Sequence, residues 1–384
     1  MLTAKAWVQI IGNILSVRFE STSQKLILMF VFAGLTYGAA GLGAMLLMTL
    51  LANSQLGKDA SAKHGISASE SSRLGGFAIA IVVIVYIVGL SLISPYTPGP
   101  VRDEGLLYLW CAIFLCCLLG FAEDIKPDFL TPMLRLGTKF VVLGALFWLS
   151  PILIPVSVGI PFIDSLIALP VLGWALVTVF AVGFINALNM ADGANGLVPG
   201  IALASFGVFF MEYGRPIDGA LLFACTIFFI FNVISGWYFL GDTGSYGLGA
   251  ILLGYGLLGV AEGHFSAGFM AALFCYPCID FLVSVIRRWR AGRSPFSADN
   301  GHLHNRLHQF IKLRVNSAVM ANSFTGLIIS GSTSGVVLLA YLMDVLPPES
   351  DLWYLFFVAE ISLYLVSLKY LTSIQPKTRY ADPK

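Results

Sequence analysis

The chain reads as an all-α integral membrane protein: a polytopic bundle of about eleven transmembrane helices with an active site on its cytoplasmic face. Three observations carry that expectation. Of 384 residues, 58% are hydrophobic and only 11% are charged, whereas a soluble domain carries about 25% charged residues. Apolar runs of about 17 to 27 residues recur along the whole length, each long enough to cross a hydrocarbon core of roughly 30 Å as a helix. Acids, amides and glycines gather where those runs end.

The predicted spans are 25–51, 74–95, 104–122, 137–157, 166–189, 194–211, 219–239, 246–262, 266–288, 317–343 and 352–372. Before them, residues 1–24 form an N-terminal segment whose Trp7, Ile10, Ile11, Ile14 and Leu15 suit an amphipathic helix lying in the membrane interface. Lys5, Arg18 and Glu20 leave no room in it for a secretory signal. Residues 25–372 make up the multi-span domain, and 373–384 a C-terminal tail. No internal repeat is visible.

Seventeen of the 22 lysines and arginines fall on alternate loops, from Lys58, Lys63 and Arg73 through Lys126, Arg135 and Lys139 to the Arg287–Arg314 region and the C-terminal tail. Cytoplasmic loops hold the positive excess, so this side is the cytoplasm, with the amino terminus outside and the carboxyl terminus inside. A net charge of +1, with basic residues scattered between spans, argues against nucleic acid as a partner. All six cysteines lie in apolar runs. Cys275-Tyr-Pro-Cys278 has redox or zinc spacing, but without a polar setting or a second ligand pair it reads as packing.

The acids divide by side. Glu123 and Asp124 end the third span, Asp192 ends the fifth, Asp242 opens the eighth, and Asp299 lies in the loop after the ninth, all on the cytoplasmic face. Those on the other face, including Asp103, Asp164, Glu212, Asp218 and Glu262, fit no motif and read as solvated loop residues. Asn186, Asn189 and Asp192, three residues apart, share one helix face, and Gly193 and Gly196 let the backbone turn away after them. Alone, that stretch could be a packing device of a membrane helix. Acids converging from four separate loops make one site the better reading.

Carboxylates beside Gly-rich turns and basic side chains suit a divalent metal that carries phosphates, and Mg²⁺ takes one or two carboxylates with water and substrate phosphate. Glu123, Asp124, Asp192 and Asp242 exceed the needs of one ion, so at least one is free to act as base. The Gly241-Asp-Thr-Gly-Ser245 turn would offer its N–H groups to an anion, unless it is no more than a helix cap. In the loop after the ninth span, His302 and His304, flanked by Asp299 and Arg306, could meet phosphate oxygens or hold a metal, a hard ion before zinc, while the arginines from Arg287 to Arg293 suit a membrane anchor. Asp280, inside the ninth span and about two turns before Arg287, is expected to brace that loop.

These segments, in this order, resemble the polyprenyl-phosphate N-acetylhexosamine-1-phosphate transferases of glycosyltransferase family 4. The resemblance rests on Arg73-Leu-Gly-Gly76, on Glu123-Asp124 followed by Arg135-Leu136, on Asn186–Leu197, on Gly241–Ser245, and on Ser294-Pro-Phe-Ser-Ala-Asp299 leading to His302-Leu-His304. It implies transfer of an N-acetylhexosamine 1-phosphate from a UDP-sugar, GlcNAc or a related one, to undecaprenyl phosphate with Mg²⁺, Mn²⁺ serving as a substitute. UMP leaves, and the lipid-linked diphospho-sugar starts a cell-envelope polymer such as the O-antigen of lipopolysaccharide. It further implies a multi-pass protein of the bacterial inner membrane, partnered by UDP-N-acetylhexosamine, undecaprenyl phosphate and the bilayer, with a homodimer allowed. By position, the resemblance gives Asp124 the activation of the lipid phosphate and places Asn189 and Asp192 beside metal and nucleotide, and with the residue chemistry the expected catalytic set is Asp124, Glu123 and Asp192. It implies diphosphate contacts for His302 and His304, a phosphate or nucleotide contact for Arg135 and metal ligation by Asp242; the expected substrate contacts together are Asn186, Asn189, Asn195, Arg135, His302, His304 and Arg306, and the expected metal ligands Asp242, Asn189 and Asp192. Three departures stand out: Glu123 replaces an aspartate, Asn195 a second aspartate, and Asn305 a third histidine. The alternatives are a phospho-MurNAc-pentapeptide translocase-type reaction, a secondary transporter, and a scaffold without activity.

Overall fold

A computed structural model describes residues 21–53, 58–59, 71–93, 104–127, 129–294 and 300–374. Residues 1–20 of the expected interfacial segment, residues 375–384 of the tail, and Lys63, Arg102, Asp103 and Asp299 lie outside the described residues. The helices, in chain order, are α1 (Thr22–Ala52), α2 (Gly75–Ile93), α3 (Glu104–Ile125), α4 (Pro132–Leu149), α5 (Pro161–Ile167), α6 (Pro170–Ala191), α7 (Leu197–Tyr213) and α8 (Pro216–Ser235). They continue as α9 (Gly241–Ala261), α10 (Ala267–Leu273), α11 (Cys275–Arg290), α12 (Leu303–Lys312), α13 (Ala318–Ser330), α14 (Val336–Leu342) and α15 (Trp353–Ile374). The two-residue strands β1 (Lys58–Asp59) and β2 (Ser71–Ser72) pair antiparallel. The protein is an all-α polytopic membrane protein.

Among the described residues, nine helices are long and apolar enough to cross a membrane, counting α13 and α14 as one run through the π turn at Gly331–Gly335. A tenth forms if α10 and α11 are one span, and α7 is a shorter apolar helix. Each of the eleven predicted stretches therefore falls on helix, but two expectations change. The ninth stretch is not a straight span, because α10 and α11 meet at Phe274 with a bend of 76°. The fourth runs over Pro132–Leu149 rather than 137–157: the Thr131 hydroxyl accepts from the Leu134 N–H, Pro132 opens the helix, and Ser150-Pro151 closes it.

Helix α9 runs through the middle of the bundle, with 83% of its apolar window buried, against 17% for α1 and α15 at the periphery. Its sequence explains the position. Seven glycines in Gly241–Ala261 leave it thin, and small residues let helix backbones approach closely where lipid gives no hydrophobic drive to associate. A Cβ on Gly76 of α2 would fall on the backbone of Thr243 and Gly244, and one on Gly120 of α3 on the backbone of Asp242. The segment leading into α2 is also tied to the segment leading into α9. Gly75 N–H donates to the Phe239 carbonyl at 3.0 Å and Gly76 N–H to the Leu240 carbonyl at 2.8 Å.

At the opposite end of the bundle, Asp218 and Asp164 are not the solvated acids expected. Asp218 is fully buried and takes two bonds from the Arg215 guanidinium, at 2.9 and 3.2 Å. That guanidinium also lies over the Tyr213 and Tyr255 rings. Asp164 accepts from the Val158 N–H at 2.7 Å and the Ser157 hydroxyl at 2.8 Å. Both carboxylates close loops.

Because Gly76 meets backbone and not a movable side chain, Gly76→Val should lower the unfolding free energy by about 1–3 kcal/mol. Gly89→Ala in the same helix, where a Cβ meets nothing within 4 Å, should leave it unchanged. Paired thermal unfolding in detergent measures the difference; equal midpoints would contradict the close α2–α9 packing.

Candidate active site

The ends of α3 and α6, the start of α9 and the start of α12 meet at one end of the bundle. Asp124, the penultimate residue of α3 and 3% exposed, reaches the start of α9. Its carboxylate accepts from the Asp242 N–H at 2.8 Å, the Thr243 N–H at 2.8 Å and the Thr243 hydroxyl at 2.6 Å. An acid on another helix thus satisfies donors that α9 cannot satisfy itself, and places negative charge at its positive end. Gly241 enters this turn at φ +72°, a left-handed conformation that suits glycine. The expectation that the Gly241–Ser245 turn offers these N–H groups to a substrate anion is corrected: the anion it holds is Asp124.

Capped in this way, Asp242 faces the other helix ends. Its Oδ1 accepts from the Asn189 amide at 2.6 Å, and that same amide donates to the Ser245 hydroxyl at 2.8 Å. Its Oδ2 lies 3.8 Å from Arg135 Nη1, which is 3.4 Å from Glu123 Oε2. The other Glu123 oxygen accepts from the Leu130 N–H at 2.7 Å. Glu123 is therefore buried and occupied in holding the α3–α4 connection and Arg135.

Asp192 caps the C-terminal end of α6. Loss of hydration, then the negative charges of Asp242 and Asp124, push its carboxyl up to about 7, against the pull of the Gly241 N–H and Arg73. Gly193, next in the chain, packs against the imidazole of His304 with no space for a side chain. In this way the α6–α7 turn is fitted to the start of α12.

The two histidines have different partners. His302 Nδ1 lies 2.5 Å from Asp280 Oδ2, and His304 Nδ1 lies 2.9 Å from the Tyr276 hydroxyl. Their rings stack at 5.2 Å. Burial, with repulsion from His302 and His308, holds the His304 imidazole down to about 4 despite Asp280, so it is neutral at pH 7. Arg306 lies one turn along α12, its N–H bonded to the His302 carbonyl at 3.2 Å.

Three residues occupy places other than those expected from sequence. Asn195 does not face the cluster: it is 2% exposed, with its N–H on the Asn322 side chain at 3.1 Å and its amide on the Ser323 hydroxyl at 3.3 Å, so it braces the turn against α13. Asn186 bonds inward, accepting from Lys139 Nζ at 2.5 Å and donating to the Val182 carbonyl at 2.8 Å. Asp280 holds His302 and not Arg287. Lys139, read from sequence only as a loop charge, belongs to the site: it is 2% exposed inside α4, and its ammonium lies 4.0 Å from the Tyr246 ring centroid. Its signal was there to find, since a lysine within an apolar helix needs a partner.

The arrangement supplies oxygen donors at Asp242, Asp192 and Asn189, flanked by Arg135 and Lys139. If Asp124 is the cap that sets this geometry, Asp124→Asn should lose about 1–3 kcal/mol, because an amide places an N–H₂ against donors that need an acceptor. Thermal unfolding in detergent reads it. A wild-type midpoint would remove the cap from the account.

Comparison with known proteins agrees with the resemblance in the motifs. The model for "Glycosyl transferase family 4" matches residues 106–281. The chain is 27% identical over 308 residues to a decaprenyl-phosphate N-acetylglucosaminephosphotransferase of Mycolicibacterium smegmatis, covering 71% of this chain and 74% of the relative. It is 28% identical over 253 residues to a probable undecaprenyl-phosphate N-acetylglucosaminyl 1-phosphate transferase of Bacillus subtilis, covering 62% and 66%. It is also 28% identical over 232 residues to a phospho-N-acetylmuramoyl-pentapeptide-transferase of Staphylococcus carnosus, covering 55% and 71%. By its ordered motifs, by residues 106–281 and by these relatives, the chain is similar to glycosyl transferase family 4 and, within it, to polyprenyl-phosphate N-acetylglucosamine-1-phosphate transferases.

Proposed function

We propose that the protein transfers an N-acetylhexosamine 1-phosphate from a UDP-sugar to undecaprenyl phosphate, releasing UMP. The observation that carries this reading is Asp242, bonded to Asn189, faced by Arg135 and set beside Asp192, at the end of a bundle whose outer helices face lipid. A polyprenyl phosphate enters such a site from the bilayer, and a nucleotide sugar from water. An oxygen of the lipid phosphate attacks the β-phosphorus of the UDP-sugar, the bond from that phosphorus to the oxygen bridging it to the α-phosphate breaks, and UMP leaves with the electron pair. Arg135, Lys139, His302 and Arg306 are the cationic and hydrogen-bonding groups at hand for charge that shifts between two phosphates.

Asp242, Asp192 and Asn189 fit a magnesium ion. They provide oxygen alone, the donor type that hard cations select, and mutual repulsion with burial already raises Asp192. Held by these residues, the ion would supply positive charge to offset the negative charge of the phosphates, with Mn²⁺ as a substitute. Below about pH 7 Asp192 is protonated, so Mg²⁺ affinity should rise from pH 6 to pH 8 and level off above. Isothermal titration across that range tests it, and affinity independent of pH would place the ion elsewhere.

The charge pattern of the loops supports a cytoplasmic site, an external amino terminus and an internal carboxyl terminus in a bacterial plasma membrane. The relative named a phospho-N-acetylmuramoyl-pentapeptide-transferase makes transfer of that group the second reading. The transporter reading loses ground because Asp124, Asp192 and Asp242 sit together at helix ends, at one end of the bundle.

Purified protein with Mg²⁺, undecaprenyl phosphate and a panel of UDP-N-acetylhexosamines should release UMP with UDP-GlcNAc or a close relative. Asp242→Asn should lower kcat/KM at least about a hundredfold. Folded protein that turns over no donor, UDP-MurNAc-pentapeptide included, would reject the enzyme.

A further inference from the structure

Asp280 lies in α11, 1% exposed, far along the chain from the carboxylates at the helix ends. Three donors occupy it. Its Oδ2 takes His302 Nδ1 at 2.5 Å; its Oδ1 takes the Tyr364 hydroxyl at 2.8 Å and the Leu303 N–H at 3.1 Å. Tyr364 belongs to α15, at the periphery of the bundle and beyond the family-matched segment 106–281. Helix α15 thus reaches the site through the Tyr364 phenol.

Ligand atoms of Asp280, His302 and His304 all lie within 4.8 Å of one another, which suits a metal site by spacing. The bonding argues otherwise. Two ligands of a tetrahedral ion at about 2.0 Å keep roughly 3.3 Å between them, whereas Asp280 and His302 are at hydrogen-bond distance. An ionised carboxylate only accepts, so His302 Nδ1 carries the proton of that bond. Its other nitrogen, Nε2, is left for a ligand. His304 stacks on the same ring but meets a phenol, so the two imidazoles are not equivalent.

We propose that Asp280, held by Tyr364, is a positioning residue that fixes His302 with Nδ1–H toward the carboxylate and Nε2 toward a phosphate oxygen of the substrate. The inference rests on the phosphotransferase reading for the identity of that ligand. With Asp280 on one nitrogen and a diphosphate oxygen on the other, the ring would donate from both Nδ1 and Nε2. This is the arrangement by which a second carboxylate sets the tautomer of a working histidine.

Nitrogen-15 NMR of the full-length protein in nanodiscs, with its five histidines labelled and His302 assigned through His302→Gln, tests the proposal. His302 Nδ1 should be protonated in wild type, and UDP should shift Nε2 into the protonated range. In Asp280→Asn the Nδ1 proton should be lost from the major form. That variant should lower kcat about ten- to a hundredfold, with KM for undecaprenyl phosphate unchanged within about twofold and with bound lipid detectable. Tyr364→Phe, which leaves the carboxylate in place, should keep the Nδ1 proton and lose less activity than Asp280→Asn. A wild-type His302 protonated only on Nε2, or an Asp280→Asn variant with unaltered His302 signals and kcat, would overturn it. The NMR outcome does not depend on turnover: Nδ1–H with UDP-responsive Nε2 in a protein inactive on every donor would keep the positioning role and reject the transferase reading alone.

Discussion

The bond that the rest of the site depends on is the one from Asp124 to the first turn of α9. Helix α9 is the thin, glycine-rich centre of the bundle, and its first turn must put donors somewhere in a region poor in water. Asp124 takes three of them at 2.6–2.8 Å. That fixes where Asp242 points, which in turn fixes its bond to Asn189 and its distance from Arg135. An acid that looks catalytic in the sequence acts first as the part that locates another acid, so losses from substituting Asp124 report on the position of Asp242 as much as on any proton transfer.

A second layer of polar bonds holds this arrangement from outside. Asn195 and the neighbouring Gly196 N–H are bound by Asn322, Ser323 and Asn232, which draws the α6–α7 turn onto α8 and α13. Asn232 also donates to the Tyr238 carbonyl at 2.7 Å, just before the Asp242 turn. Lys139 rests between Asn186 and Tyr246. In a bundle without a hydrophobic drive between helices, such bonds and close small-residue contacts supply the specificity of packing. The site and the fold therefore share residues.

Much of this was legible in the sequence. Eleven apolar stretches find helices, because hydropathy over about 20 residues is a strong signal, and the acids sorted onto one end because the loop charges alternate. The bend at Phe274 had a signal that hydropathy overrides: Pro277 lacks the N–H that would bond the Leu273 carbonyl, which accepts from the Ser334 hydroxyl at 2.6 Å instead. Asp280 was matched to Arg287 because helical periodicity sees only neighbours on one helix, whereas its partners come from α12 and α15. Asn195 looked like a ligand because it sits in a polar run; its partners Asn322 and Ser323 lie on a helix far along the chain. Lys139 reads as an end-of-loop charge because it stands only two residues inside the predicted fourth span, whereas the helix starts at Pro132 and carries it about two turns deep.

The central claim is that one end of this bundle moves a phosphosugar from a nucleotide to a membrane lipid, and the fate of the two phosphates tests it most directly. With undecaprenyl phosphate and UDP-GlcNAc, or whichever UDP-N-acetyl sugar the protein accepts, labelled separately at the α- and β-phosphorus, the β label should pass into the lipid fraction. The α label should remain in UMP. Recovery of the β label as free sugar phosphate or of the α label in lipid would contradict the account.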